Sequence, residues 1–220
     1  MIKRWAGVLL GTLLLPWLIG YTEAFVAFLA SIPTLTSAQM AFLVGVTSYL
    51  AWHTMVGKPM RVYVFGHELM HAVAVWLSGG QVKAFKVSAK GGHVASTKTN
   101  FVIALAPYLI PVFSVVAAFG YVIVGWFLDV QPYARWFYGG LGATLAFHLV
   151  FTVEFVKTDQ PDLAQGGRII SLAVIYWVNL AFVALAVSLV TPGMRFLGYV
   201  TDGYWRSVGW YQIVVRQLFL

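Results

Sequence analysis

The stretch "VYVFGHELMHAVAVWLSGG", residues 62–80, sets two histidines and a glutamate inside an otherwise oily run. Ionisable groups within an apolar segment are costly and mark function by default. Composition says what kind of segment this is. The chain has 220 residues, 60% hydrophobic and 10% charged, with a mean hydropathy of +0.83. A soluble domain is nearer half apolar and a quarter charged, so the chain reads as a membrane protein.

Around this stretch, segments approach the roughly 20 apolar residues that a 30 Å hydrocarbon core requires. They are Trp5–Ala30, Ala38–Val56, Arg61–Leu77, Phe101–Leu128, Ala134–Val156 and Ile169–Val190. The fold expected is an all-α polytopic membrane protein of about six transmembrane helices. The opening run "MIKRWAGVLLGTLLLPWLIG" begins like a signal peptide, but its apolar stretch is too long and lacks a clear small-residue cleavage site. It is read as a retained first span.

The formal charge of +7 does not imply nucleic acid, because the cations stand singly between oily segments. They match membrane flanks facing anionic headgroups. Lys3 and Arg4 favour a cytoplasmic N-terminus. Six simple spans would then place Lys83, Lys86, Lys90 and Lys98 outside, against the positive-inside tendency. Orientation stays open. There is no cysteine, so any metal must be held by His, Asp or Glu.

Residues 81–97 alternate polar and apolar around Gly91-Gly92, which predicts a β-hairpin or short strands packed on helices or lying at the interface, with a solvated polar loop as the alternative. From Thr191 the chain mixes Tyr204, Trp205, Trp210 and Tyr211 with Arg195, Arg206 and Arg216. That mixture suits an interfacial helix. The expected organisation is two N-terminal helices (1–60), a core (61–190) and an interfacial segment (191–220).

His67 and His71 lie four apart, hence on one helix face about 5–6 Å apart at Cβ. Two imidazoles so placed can converge on one zinc ion, with Glu68 beside them as general base. This is H-E-x-x-H, the zinc metalloprotease signature; by composition, a chance match is on the order of one in several hundred. A catalytic zinc usually takes three protein ligands. The candidates for the third are Asp162, Asp159, Glu154, His148 and His93. The best source is "VKTDQPDLAQGGRII", where two aspartates flank Pro161 shortly before a long helix. A carboxylate near that helix start is favoured by its dipole.

"FGHELMHAVAVWLSGGQVKAFKV", then a Gly-Gly hairpin, then "ALAPYLIP", resembles the site-2 protease family of intramembrane zinc metalloproteases over Val62 to Val190. The resemblance implies His67 and His71 as zinc ligands, Glu68 as the catalytic glutamate and a membrane-associated hairpin. It also implies a third ligand, an aspartate at a later helix start. The family pattern there is Asp-Gly, whereas "AQGGRI" puts Gln165 before the glycines. If the glycines set the register the ligand is lost; if the proline–aspartate pair does, Asp162 is the ligand, with Asp159 in reserve.

The implied activity is hydrolysis of peptide bonds in membrane-embedded or membrane-proximal substrates, in a multi-pass protein of a bacterial-type inner or plasma membrane. The implied partners are a membrane protein or peptide substrate and the lipid bilayer; the small size, without an appended sensor domain, suggests a regulatory membrane partner. Two rivals stand beside it: a catalytically inactive relative acting as a binding or assembly subunit, and a metal carrier or channel with the histidines as a transit site. Of the other polar residues, His148 either lines the site or joins two helices. Glu154 either pairs with a nearby cation or lies at the membrane boundary as a snorkelling charge, and Asn179 either bonds between helices or contacts the loop. His53 is given no role.

Overall fold

A computed structural model describes residues 10–219. Lys3, Arg4 and the expected start of the first span at Trp5 lie outside the described residues. The described residues are mostly helical, with one two-stranded antiparallel sheet among them. They divide into two compact units, 40–165 and 10–39 with 166–219.

In the first of these units, α2 (Ser37–Met55) is followed by α3 (Met60–Leu77), which carries the H-E-x-x-H run. The two are bent by 119° about the Gly57-Lys58-Pro59 link, where Gly57 takes φ +130°. Strands β1 (Val82–Ser88) and β2 (Gly91–Ser96) form the expected hairpin. Its turn lies at Ala89-Lys90, and Gly91 opens β2 at φ +146°, a conformation that favours glycine. Helices α4 (Phe101–Leu109) and α5 (Val112–Gly125) follow, then α6 (Ala134–Val156) and the short α7 (Pro161–Ala164).

A small core joins α3 to α4: Met70, Ala74 and Val75 pack on Ile103 and Ala106. Val82 of β1 seals its edge. Burying such side chains contributes about 1.5–3 kcal/mol for each large one. Across the bend, His53 Nε2 meets Glu154 Oε1 at 3.1 Å, and Lys58 Nζ donates to the same oxygen at 2.6 Å. Glu154 thus has its cation. His53 is buried, with its Nδ1 2.9 Å from the Tyr49 hydroxyl.

Helices α2 and α6 cross through glycine. A Cβ on Gly45 would strike the Gly139 carbonyl, and one on Gly142 would strike the Phe42 carbonyl. Backbone cannot yield as a side-chain tip can. Gly142→Leu is therefore expected to part the helices and cost at least about 1–3 kcal/mol, lowering the thermal midpoint of the detergent-solubilised protein.

In the other unit, α1 (Leu15–Ala30), α8 (Arg168–Val190) and α9 (Phe196–Phe219) share an aromatic core. Trp177 stands edge-on to Trp17 and Tyr21, with centroids 5.8 Å and 5.7 Å away. Such pairs add to simple burial.

Among the described residues, three helical stretches are long and apolar enough to cross a membrane: Leu10–Ala30, Gln131–Val156 and Arg168–Val190. Counting each bent pair as one span raises the number to five, which differs from the six simple spans expected. Hydropathy measures apolar length and ignores direction. The α2–α3 pair turns sharply at Pro59. The run expected as one span over Phe101–Leu128 is two helices bent by 69° at Ile110-Pro111.

Candidate metal centre

Helix α3 has no proline or glycine after Gly66, so its last three turns hold His67 and His71 on one face as the i, i+4 rule requires. Their Nε2 atoms are 3.2 Å apart. The third corner comes from α7, where Leu163, 2% exposed, anchors the loop while Asp162 turns toward the histidines. Asp162 Oδ2 lies 3.6 Å from His67 Nε2 and 3.5 Å from His71 Nε2.

That triangle has a chemical meaning. Ligand atoms about 2.0–2.1 Å from a tetrahedral metal ion sit about 3.3–3.4 Å from one another. The observed edges of 3.2, 3.5 and 3.6 Å match it closely, with an N, N, O donor set suited to a divalent ion. Among the described residues, these are the three that could hold a metal ion. Burial raises the Asp162 carboxyl, but hydrogen bonds from both histidines outweigh it and hold the group well below the usual carboxylate range.

Each donor is oriented by a second contact. His71 Nδ1 donates to the Ile103 carbonyl at 2.9 Å, which leaves Nε2 with its lone pair toward the centre. That carbonyl is free because its helical partner four residues on is Pro107, which has no N–H. Asn100 caps the same helix, accepting from the Ile103 N–H at 2.8 Å, and fixes the turn. His67 Nδ1 meets the Tyr63 hydroxyl at 3.2 Å. The Tyr63 ring is stacked on Phe151 and Phe155 of α6 with centroids 4.3 and 4.5 Å away. Tyr108, buried, donates to Asp162 Oδ2 at 3.3 Å.

Pro107→Ala would restore an N–H to compete for the Ile103 carbonyl. Losing such an orienting contact typically costs 10–100-fold in metal affinity, and we expect about that loss by competition with a chromogenic chelator.

Glu68 follows His67 and is 7% exposed. The hairpin covers it: a Cβ on Gly92 would fall 2.7 Å from Glu68 Oε1 and collide with its Cγ. Only glycine lets β2 lie so close. Between hairpin and helices is a cavity of about 520 Å³, lined by the three donors, Glu68, Gly92 and His93 among others.

The other candidates for third ligand lie elsewhere. Glu154 is engaged at the α2–α3 bend, and Asp159 is exposed. His148 is buried on α6 beside a small cavity shared with Tyr63 and His67. His93 is exposed on β2 and reaches the large cavity without joining the three donors. Gln165, where the family pattern would put an aspartate, donates through Nε2 to Thr99 at 2.9 Å and so ties the Asp162 loop to the start of α4. Asn179 Nδ2 donates to the Ile175 carbonyl of its own helix at 2.8 Å.

Comparison with known proteins gives no family model, no curated protein and no solved structure that matches this chain.

Proposed function

We propose that the protein is an intramembrane zinc metalloprotease, similar to the site-2 protease family, hydrolysing peptide bonds of membrane-embedded or membrane-proximal substrates. The observation that carries the reading is the convergence of His67, His71 and Asp162 at metal-ligand separations in a cavity that Glu68 also lines.

A zinc ion held by His67, His71 and Asp162 would supply Lewis acidity toward water and the scissile carbonyl. Glu68 takes a proton from the attacking water as its oxygen bonds to the carbonyl carbon. It then delivers that proton to the amide nitrogen as the C–N bond breaks, giving a carboxylic acid and an amine, which become carboxylate and ammonium by proton exchange. Tyr63 and the Ile103 carbonyl hold the imidazoles in their donor tautomers. Tyr108 steadies Asp162. The hairpin excludes bulk water above Glu68, where fixed charges act most strongly.

A substrate helix hides its peptide bonds within its own hydrogen bonds and must unwind before attack. The hairpin offers an extended edge beside the cavity on which such a segment can pair as an added strand. We expect the protein in proteoliposomes to cleave a single-span reporter, to lose cleavage on chelation and to regain it with zinc. A reporter left intact at saturating zinc would refute the proposal.

The inactive-relative reading rests on Gln165. Its bond to Thr99 supports an alternative role for that residue, bracing the loop that carries Asp162.

A further inference from the structure

The cavity that holds the three donors and Glu68 is bounded on its far side by the hairpin, from Lys90 at the turn along β2 to Ser96. Among the described residues, Lys90 is the one lysine or arginine on its wall. The turn holds that residue in place. Ser88 Oγ donates to the Gly91 carbonyl at 2.7 Å and accepts from the Lys90 N–H at 3.3 Å. The Lys90 ammonium itself has no ion pair or hydrogen bond among the described residues.

The surrounding chain supplies no counter-charge. Residues 69–128 contain neither aspartate nor glutamate. Glu154 is taken by Lys58 and His53, and Asp162 by the two histidines and Tyr108. The other hairpin lysines are placed differently. Lys98 Nζ donates to the Ser78 carbonyl at 2.8 Å, and Lys83 and Lys86 are not part of the cavity wall.

A divalent ion on two neutral imidazoles would be balanced by the carboxylates of Asp162 and Glu68. The charge on Lys90 is then left over. A peptide segment that fills the cavity strips water from this ammonium, and a desolvated charge is costly unless paired. The wall therefore favours a segment that brings its own anion.

We propose, on the footing of the proteolytic function above, that Lys90 is a specificity residue. It receives a carboxylate of the substrate, carried about two residues from the bond that is cut. The position follows from the strand. Lys90 stands two residues before Gly92, which covers Glu68. Strands rise about 3.3 Å per residue, and an extended segment lying along β2 keeps the same pace. The substrate residue opposite Lys90 is thus about two positions from the one opposite Glu68. An acidic side chain and a chain-terminal carboxylate offer the same chemistry at that point.

The test uses full-length protein in proteoliposomes supplied with zinc and single-span fluorescent reporters. These carry Asp, Asn or Lys at successive positions, each with a free or an amidated C-terminus. Cleavage is followed with wild-type protein and binding with the Glu68→Gln protein. Asp is expected to be preferred to Asn by about tenfold at one position, the usual gain from a hydrogen bond to a charged group. Lys90→Glu should invert the order, so that the Lys reporter becomes the best. Lys90→Arg should preserve the preference. So should Lys86→Glu, which makes the same charge change on the hairpin away from the cavity wall. A preference lost on amidation, with Asp and Asn equivalent, would assign the carboxylate to the chain terminus.

Reporters taken without regard to charge would overturn the proposal. So would a preference that survives Lys90→Glu or falls equally with Lys86→Glu. Charge-selective binding without hydrolysis of any reporter would refute the proteolytic function and still establish Lys90 as a carboxylate site.

Discussion

Glu68→Gln protein is expected to retain its metal and to lose about 10²–10⁴-fold in peptide hydrolysis, the usual contribution of a positioned general base. The change is nearly isosteric, so the fit beneath Gly92 survives. It removes the capacity to accept a proton at Oε. Because Glu68 lies outside the His67, His71 and Asp162 donor set, metal content should stay at the wild-type value. Initial rates on a single-span reporter, paired with metal analysis of the same preparation, check both halves. Full hydrolysis by this variant would remove Glu68 from the proposed mechanism.

Gly92→Val is expected to stop hydrolysis nearly as completely, again with metal retained. The added Cβ occupies space now held by Glu68 Cγ and Oε1, so either the glutamate swings away or β2 lifts from α3. A displacement of about 1 Å in a reacting group costs on the order of 10²-fold. The same substitution at Gly91, where a Cβ would meet nothing within 4 Å, strains the backbone at φ +146° without touching Glu68. A larger loss at Gly91 than at Gly92 would show that the hairpin matters through its turn and not through its cover over the glutamate.

The histidine pair was readable from spacing alone, because a helix converts four residues of separation into neighbourhood. Asp162 was readable as a carboxylate beside proline in a loop near the next long helix. Its setting differs from the expectation: it sits in the four-residue α7, and the long helix begins only at Arg168, after Gly167. The orienting contacts were hidden because they join residues distant in sequence. Tyr108 meets Asp162 across 54 positions and Ile103 meets His71 across 32. One of them did leave a signal. Pro107 in "ALAPYLIP" announces a carbonyl without a helical partner four residues earlier, and His71 uses it. The breaks at Pro59 and Pro111 were likewise visible as prolines. Their consequence for the span count was not, because an apolar run has length but no direction.

Zinc content tests the central claim most directly. Protein purified gently in detergent, without chelator, should carry one zinc per chain, and both His67→Ala and Asp162→Ala should carry essentially none while keeping the wild-type far-ultraviolet dichroism. Wild-type protein that takes up no zinc, or an Asp162→Ala variant that binds it undiminished, would contradict a centre built from His67, His71 and Asp162.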